Sequence, residues 1–328
     1  MNYFYKKVLI VIIVILASAI ILNKISFQKS SKFGVTFNYE YAQFLGLDPR
    51  KVYLALLDDW KFKYIRISAQ WNLIEKKQGE YDFKELDWMM DEAGKRGAKI
   101  ILAVGQKTPR WPECHNPEWV KNVPEKEYRS KLLGFMETVF KRYKNHPALE
   151  IWQVENEPFL NFGFPCPHFT EEMLQEELSL AKKIDGNHPT LVTDSGELSS
   201  WRKTARAGDL FGTTMYRVIW NEHVGYINYD WIPPFFYRAK LWLNKQVTKN
   251  AYVIELQAES WIPSGSALDT NLEEQFKSMN LERLKKNISI AERTGFSRTY
   301  LWGVEWWYWL QTKNHSEIGG YVKTLPKN

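Results

Sequence analysis

The stretch "LEIWQVENEP", residues 149–158, passes within ten residues from an apolar run to a group of carboxylate and carboxamide side chains closed by Pro158. Such a run, bounded by a proline, reads as a buried strand, and Glu155, Asn156 and Glu157 then fall where that strand ends. Seven more runs of this kind lie outward from it: "FGVTF" (33–37), "YIRIS" (64–68), "KIILAVG" (99–105), "TLVTD" (190–194), "LFGTTMY" (210–216), "AYVIELQ" (251–257) and "TYLWGVE" (299–305). Helical patterns separate them. "DFKELDWMMDEAGKRG" (82–97), "EEMLQEELSLAKKIDG" (171–186) and "NLEEQFKSMNLERLKKNISIAERTG" (271–295) are amphipathic, and each ends in glycine shortly before the next run. Parallel strands need such crossovers, and eight of them with the usual right-handed connection close into a (β/α)8 barrel of the α/β class. A doubly wound open sheet competes, but "FNYEYAQFLG" follows the first run where a glycine-rich phosphate turn would stand. The segment after the eighth run, "WWYWLQTKNHSEIGGYVKTLPKN", carries no clean amphipathic pattern, so the last helix is expected to be short or irregular. Residues 33–328 are read as one barrel domain.

Composition narrows the function. The chain has 328 residues, of which 15% are aromatic, including 15 Trp, more than a hydrophobic core needs. Flat apolar surfaces suit flat apolar ligands such as sugar rings, with membrane-interface belts and large interfaces as the alternative uses. The net charge is +6, but Lys6, Lys7, Lys24, Lys29 and Lys32 stand in an N-terminal segment without acids and leave +1 for the rest. A nucleic-acid partner, which needs clustered basic charge, is not expected. Those lysines flank "VLIVIIVILASAIIL" (8–22), the layout of a cleaved secretory signal or an uncleaved anchor, so residues 1–32 are read as a leader with a short linker. Either form places the barrel outside the cytoplasm, and the anchor would tie it to a membrane. In that compartment Cys114 and Cys166 read first as a disulfide, with two free thiols or a metal site using His115 and His168 as alternatives.

In a closed parallel barrel the active site is built at the carboxyl ends of the strands. That filter selects Arg66 and Gln70, Asn156 and Glu157, Tyr216, Glu255 and Gln257, and Trp302 and Glu305. Glu157 and Glu255, on separate strands, stand out. Pro158 disfavours the right-handed helical conformation at the residue before it, so Glu157 is expected to be extended and aimed into the mouth. Glu155, of opposite parity, should face the wall. Paired carboxyl groups across a cleft cleave acetals, one protonating the leaving oxygen and the other attacking or steering water. Arg66 and Tyr216 are placed to hold one of them.

These residues resemble those of the clan A glycoside hydrolases, the retaining barrel superfamily that includes families 5, 10, 39 and 42, with the cellulase-like family 5 type foremost. "VENEP" is similar to the fourth-strand acid/base motif and "VIELQ" to the seventh-strand nucleophile motif. "QGEYDFKELDWMMDEAGKRGAKIILAVGQKTPRW" resembles the second-to-third strand segment, and "YLWGVEWW" the eighth-strand tryptophan motif. The resemblance covers about Phe33 to Trp309. It implies Glu157 as acid/base, Glu255 as nucleophile, Asn156 on the sugar 2-hydroxyl, Arg66 and Tyr216 beside the nucleophile, and Trp302 stacking on the sugar. It implies no metal and no organic cofactor, and an oligo- or polysaccharide substrate taken by a monomer. Glu259, four residues beyond Glu255, stays open as a second candidate nucleophile. Trp71, Trp111, Trp220, Trp261, Trp306 and Trp307 are candidate sugar contacts, each with core packing as the alternative. A catalytically silent carbohydrate-binding envelope protein and a transglycosylase are the competing functions.

Overall fold

The structure is a computed structural model that describes residues 32–327 apart from residues 162, 164, 165 and 264, together with Tyr5 and Lys7. The apolar segment 8–22, read as a signal or anchor, lies outside the described residues; among those, no helix is long and apolar enough to cross a membrane. Eight strands form at the eight apolar runs: β1 (Lys32–Thr36), β2 (Tyr64–Ala69), β3 (Lys99–Val104), β4 (Leu149–Val154), β5 (Thr190–Asp194), β6 (Leu210–Met215), β7 (Ala251–Gln257) and β8 (Arg298–Trp302). Each pairs in parallel with its sequence neighbours, and β1 pairs with β8, so the sheet is a closed barrel.

Strand periodicity divides the core in two. Ile101, Ile151, Leu191, Tyr252, Ile254 and Tyr300 pack together as one buried cluster, while their neighbours Leu102, Trp152, Val192, Val253 and Leu301 belong to a larger one with the helices. Alternate residues therefore fill the lumen and the outer layer, which is why the strands read as continuous apolar runs. One departure from alternation positions the site. Thr213 pairs with Val253, but Thr214 pairs with Glu255, so Ile254 is skipped on β7. A bulge of this kind changes which residues face inward and re-aims a side chain. Without it, Glu255 would share the outward parity of Val253.

The helices follow the expected pattern with two differences. Gly97 (φ 65°) follows the helix Lys84–Lys95, and Gly295 (φ 72°) caps the helix Leu281–Thr294, both in the left-handed region that glycine adopts at low cost. The segment 271–295 is two helices, Leu272–Ser278 and Leu281–Thr294, because Asn280 leaves helical geometry and its side chain accepts from Arg283 N at 2.9 Å as an N-cap. The helix Glu171–Ile184 is ended by Asp185, whose carboxylate accepts from Asn187 N (3.1 Å) and Trp152 Nε1 (2.8 Å), and Gly186 has no left-handed role. After β8 the chain makes two short helices, Val304–Thr312 and Glu317–Lys323.

Candidate active site

Arg66 projects from β2 into the lumen and is fully buried. Its guanidinium spans three strands: Nη1 donates to Glu255 Oε1 (2.6 Å), Nη2 to Asn156 Oδ1 (2.7 Å) and Nε to Gln153 Oε1 (2.7 Å). The planar fork of an arginine fixes direction as well as charge, so β2 locks the ends of β4 and β7 together. Tyr216 donates its hydroxyl to the other Glu255 oxygen, Oε2, at 3.0 Å. Burial and the nearby Glu255 push the Tyr216 hydroxyl well above its ordinary range, which keeps it a donor. Both Glu255 oxygens therefore face donors, the arrangement of a carboxylate acting as acceptor only.

Glu157 is in a different setting. It is 8% exposed, and among the described residues its carboxyl receives one neutral donor, Thr214 Oγ1, at 3.1 Å to Oε1. Its backbone N–H donates to Thr193 Oγ1 (2.9 Å), and Lys107 Nζ donates to its carbonyl (3.1 Å) rather than to its carboxyl group. Burial, then the Glu255 and Glu113 charges, raise its carboxyl well above the ordinary carboxylate range. Desolvation and like charge both favour the protonated form.

The expected extended backbone at Glu157 is not what forms. Glu157 has φ 45° and Glu155 φ 61°, both left-handed. Tertiary bonds override the preference set by Pro158: Asn156 N donates to Lys107 O (2.9 Å), and Gln153 Nε2 donates to the Glu155 carbonyl (2.8 Å). Left-handed non-glycine residues cost about 1–3 kcal/mol each and persist where their surroundings over-determine them. Glu155, expected against the wall, is fully buried there and accepts from the backbone N–H of Gln106 (2.7 Å) and Lys107 (2.8 Å). Glycine at 105 is required for this contact: a Cβ would lie within 2.9 Å of both carboxylate oxygens of Glu155, and φ is 150°.

A third carboxyl, overlooked by the strand-end filter because it stands nine residues beyond β3, completes the cluster. Glu113 is 8% exposed, has φ 73°, and accepts from Asn156 Nδ2 at 2.9 Å. Burial and the Glu255 charge raise it to about 7. Beside it, Cys114 and Cys166 form a disulfide with Cα atoms 5.5 Å apart, tying the loop after β3 to the loop after β4. The metal alternative at these cysteines is excluded by that bond, and His115 is used otherwise. Burial lowers His115 to about 4, so the ring is neutral, with Gln70 Nε2 at 3.0 Å from Nδ1 and the Arg110 carbonyl 3.0 Å from Nε2. The first contact suits an acceptor nitrogen and the second a donor.

Glu259 belongs to a separate cluster. Arg110 pairs with both its oxygens, and Arg110 Nη2 also reaches Glu305 Oε2 at 3.3 Å. The guanidinium carbon lies over two rings, 3.5 Å from the Tyr41 centroid and 4.6 Å from that of Trp302. Trp302 donates Nε1 to Glu259 Oε1 (2.8 Å) and is 6% exposed. In this state the Trp302 ring carries an arginine where a sugar was expected.

The other aromatic candidates divide sharply. Trp306 is fully buried, donating to Gln275 Oε1 at 2.6 Å beside Phe276, and does not reach the mouth. Trp307 and Trp71 are equally buried, Trp71 inside a cluster with Trp119, Tyr128 and Phe135. Sequence periodicity could not separate them from surface rings, because the helix after β8 starts at once and turns Trp306 and Trp307 onto the barrel. Trp111 is 57% exposed and, with Tyr41, Gln70, Arg110, Ile262 and Ala267, lines a cavity of about 690 Å³ at the mouth. Trp261 packs edge-on against Tyr216, 5.4 Å between centroids.

A family model described as beta-galactosidase, that of glycoside hydrolase family 42, matches residues 51–172, which include Arg66, Glu113 and Glu157. A beta-galactosidase of Arthrobacter sp is 32% identical over 104 residues, covering 26% of this chain and 15% of that protein. The chain thus spans a small part of the length of such relatives. A beta-galactosidase from the psychrophilic Marinomonas ef1 has TM-score 0.58 at 13% identity, covering 82% of this chain and 53% of that one. Xylanase 10B from Thermotoga petrophila RKU-1 has TM-score 0.54 at 16% identity, covering 84% and 82%. The chain resembles clan A glycoside hydrolases. The structural likeness extends over most of the chain and concerns the fold, while the family model matches residues 51–172.

Proposed function

We propose that this chain is a retaining glycoside hydrolase acting on a β-linked saccharide, with Glu157 as acid/base and Glu255 as nucleophile. The observation that supports it most is the contrast between the two carboxyl groups: charge-assisted donors on both oxygens of Glu255, and a single hydroxyl on a desolvated Glu157. Environments that separate two carboxyl groups in this way assign the acid and the base.

In the first step Glu157 gives its proton to the glycosidic oxygen while a Glu255 oxygen bonds to the anomeric carbon and the glycosidic bond breaks. Arg66 and Tyr216 hold Glu255 for attack, and the Arg66 link to Asn156 keeps the sugar-binding amide in register with it. In the second step Glu157, now a base, takes a proton from water as the water oxygen replaces Glu255 on that carbon. Configuration is retained after two inversions. The disulfide supports a further part of the proposal, that the barrel works outside the cytoplasm.

The test is turnover of aryl β-glycosides and β-linked oligosaccharides by residues 32–328, with product configuration followed by NMR. First-formed β product supports the reading, and α product or no turnover by any substrate refutes it.

A further inference from the structure

The near-neutral balance of the barrel hides a charge difference between its two ends. At the mouth, Lys77, Lys121 and Lys203 are ion-paired with Glu80, Glu118 and Glu171. At the opposite end, where the chain enters the strands, lysines recur without carboxylates. Lys32 opens β1, Lys61 and Lys63 precede β2, Lys99 opens β3, and Lys245 and Lys249 precede β7. In the sheet these strands run β7, β8, β1, β2, β3, so the lysines form one arc of the ring. None of them is ion-paired among the described residues. Lys32, Lys63 and Lys99 donate instead to neutral oxygens, of Tyr64 (3.2 Å), Arg96 (2.9 Å) and Pro147 (3.2 Å). The acids at this end are engaged elsewhere: Asp58 holds Arg96 (2.7 Å), Asp209 holds Lys182 (2.8 Å), and Asp185 is buried against Trp152 and His188, which leaves Asp59 exposed. Unpaired like charges gathered on one face attract a surface of the opposite sign.

The same arc turns apolar side chains to solvent. Trp242 and Leu243, 76% and 68% exposed, end the helix Pro234–Leu243, and Val247 is 48% exposed in the turn that leads on to β7. That turn is fixed from its inner side, Asn244 Nδ2 donating to the Ser200 carbonyl (3.0 Å) and Gln246 Nε2 to that of Ala205 (2.9 Å), while Lys245 and Lys249 flank the exposed residues. Tryptophan beside lysine suits a lipid interface, where the ring sits at headgroup level and the ammonium meets phosphate. A nucleic acid would use the lysines but leave Leu243 and Val247 in water. The chain path agrees: residues 23–31 join Lys32 to the apolar run 8–22, and nine residues span at most about 30 Å, so a surface that takes up that run lies close to this end. We propose that this end of the barrel docks on an anionic phospholipid surface through the lysine arc and the turn of Trp242, Leu243 and Val247, with the mouth turned away from the lipid. The docking face lies opposite the catalytic cluster, so it stands or falls apart from the glycosidase proposal.

The test is lysine acetylation of the full chain on lipid nanodiscs, read by peptide mapping, with phosphatidylcholine discs compared with discs that also contain phosphatidylglycerol. On the anionic discs Lys61, Lys99, Lys245 and Lys249 are expected to react at least about fivefold more slowly than on the neutral ones, while Lys77 and Lys121 at the mouth are unchanged. The variant Trp242→Ser with Lys245→Glu and Lys249→Glu, checked for folding by thermal melting, should lose the protection at Lys61 and Lys99. Lys245→Glu with Lys249→Glu alone serves as a second variant and should weaken it. Equal reactivity on both discs, protection of the mouth lysines instead, or protection kept in both variants overturns the inference. So does protection by a single-stranded oligonucleotide without protection by anionic discs, which would make the arc a nucleic-acid surface.

Discussion

Two carboxylate clusters share the mouth of this barrel, and they treat their arginines differently. In one, Arg110 grips Glu259, reaches Glu305, and lies over the rings of Tyr41 and Trp302. In the other, Arg66 serves Glu255, and among the described residues no cation is ion-paired with Glu157 or Glu113. Glu255 and Glu259 are both held by an arginine, but Glu255 stands beside a carboxyl group in an unequal environment, Glu157, and unequal carboxyl pairs are prepared for proton transfer, while Glu259 and Glu305 share one arginine. The comparison supports the proposal that Glu255 rather than Glu259 is the nucleophile, a choice the sequence alone left open.

The largest expected effect is at the proposed nucleophile. Glu255→Ala should lower kcat by about 10⁴-fold or more, since removing a group of a concerted unit removes most of the chemistry. Azide should restore part of it. Glu259→Gln should leave kcat within about tenfold of wild type while lowering the melting temperature, since the neutral amide ends the ion pair with Arg110, which keeps Glu305. A Glu259 variant as inactive as the Glu255 variant would erase the distinction between the clusters.

Next is Glu157→Gln. It should cost about 10²–10⁴-fold on substrates with poor leaving groups and much less on activated aryl glycosides, as removal of a general acid does. Because burial and like charge raise Glu157, wild-type activity should persist below that raised value and fall as pH climbs through it. The variant should lose this alkaline limb in a pH profile with an activated substrate.

The structural cluster gives a stability prediction. Arg110→Ala leaves Glu259 and Glu305 buried without their cation and should cost about 3–5 kcal/mol in denaturant unfolding. A loss below about 1 kcal/mol would remove Arg110 as the tie between the loops.

The smallest effect is the slope of stability with pH. Glu113, Glu155, Glu197 and Glu305 are each raised to about 7 by burial before all other causes. Between the ordinary carboxyl range and about 7 the native state therefore holds more protons than the unfolded chain, so stability falls as pH rises through that window. His115, lowered to about 4, acts the opposite way between about 4 and its ordinary range, but it stands against these four and against Glu157 and Glu177, which burial also raises. Melting temperature should be higher at pH 5 than at pH 8, and Glu305→Gln should flatten the difference. A melting temperature that rises from pH 5 to pH 8 would contradict these assignments.

The eight strands were legible because each is buried on both faces and so reads as an apolar run. The strand-end filter then brought Arg66, Asn156, Glu157, Tyr216 and Glu255 into one cluster, since strand ends converge by topology. What the sequence concealed depends on contacts between loops. Glu113 and Arg110 sit in the loop after β3, where no periodicity fixes direction, and their roles come from the disulfide and from His115. The left-handed backbone of Glu155 and Glu157 was hidden for the same reason: local preference at Pro158 yields to hydrogen bonds from residues about 50 positions away. Trp306 and Trp307 show the limit of composition, because an excess of aromatic residues served the core as much as the mouth.

The central claim is that Glu255, and not Glu259, forms the covalent bond to sugar. An activated 2-deoxy-2-fluoro-β-glycoside, in gluco and galacto forms, tests it by intact mass and peptide mapping of the trapped protein. One added glycosyl group on the peptide containing residues 251–257, at Glu255, is the expected result. A label at Glu259, or steady turnover of the fluorosugar to inverted product with no trapped protein, would contradict it.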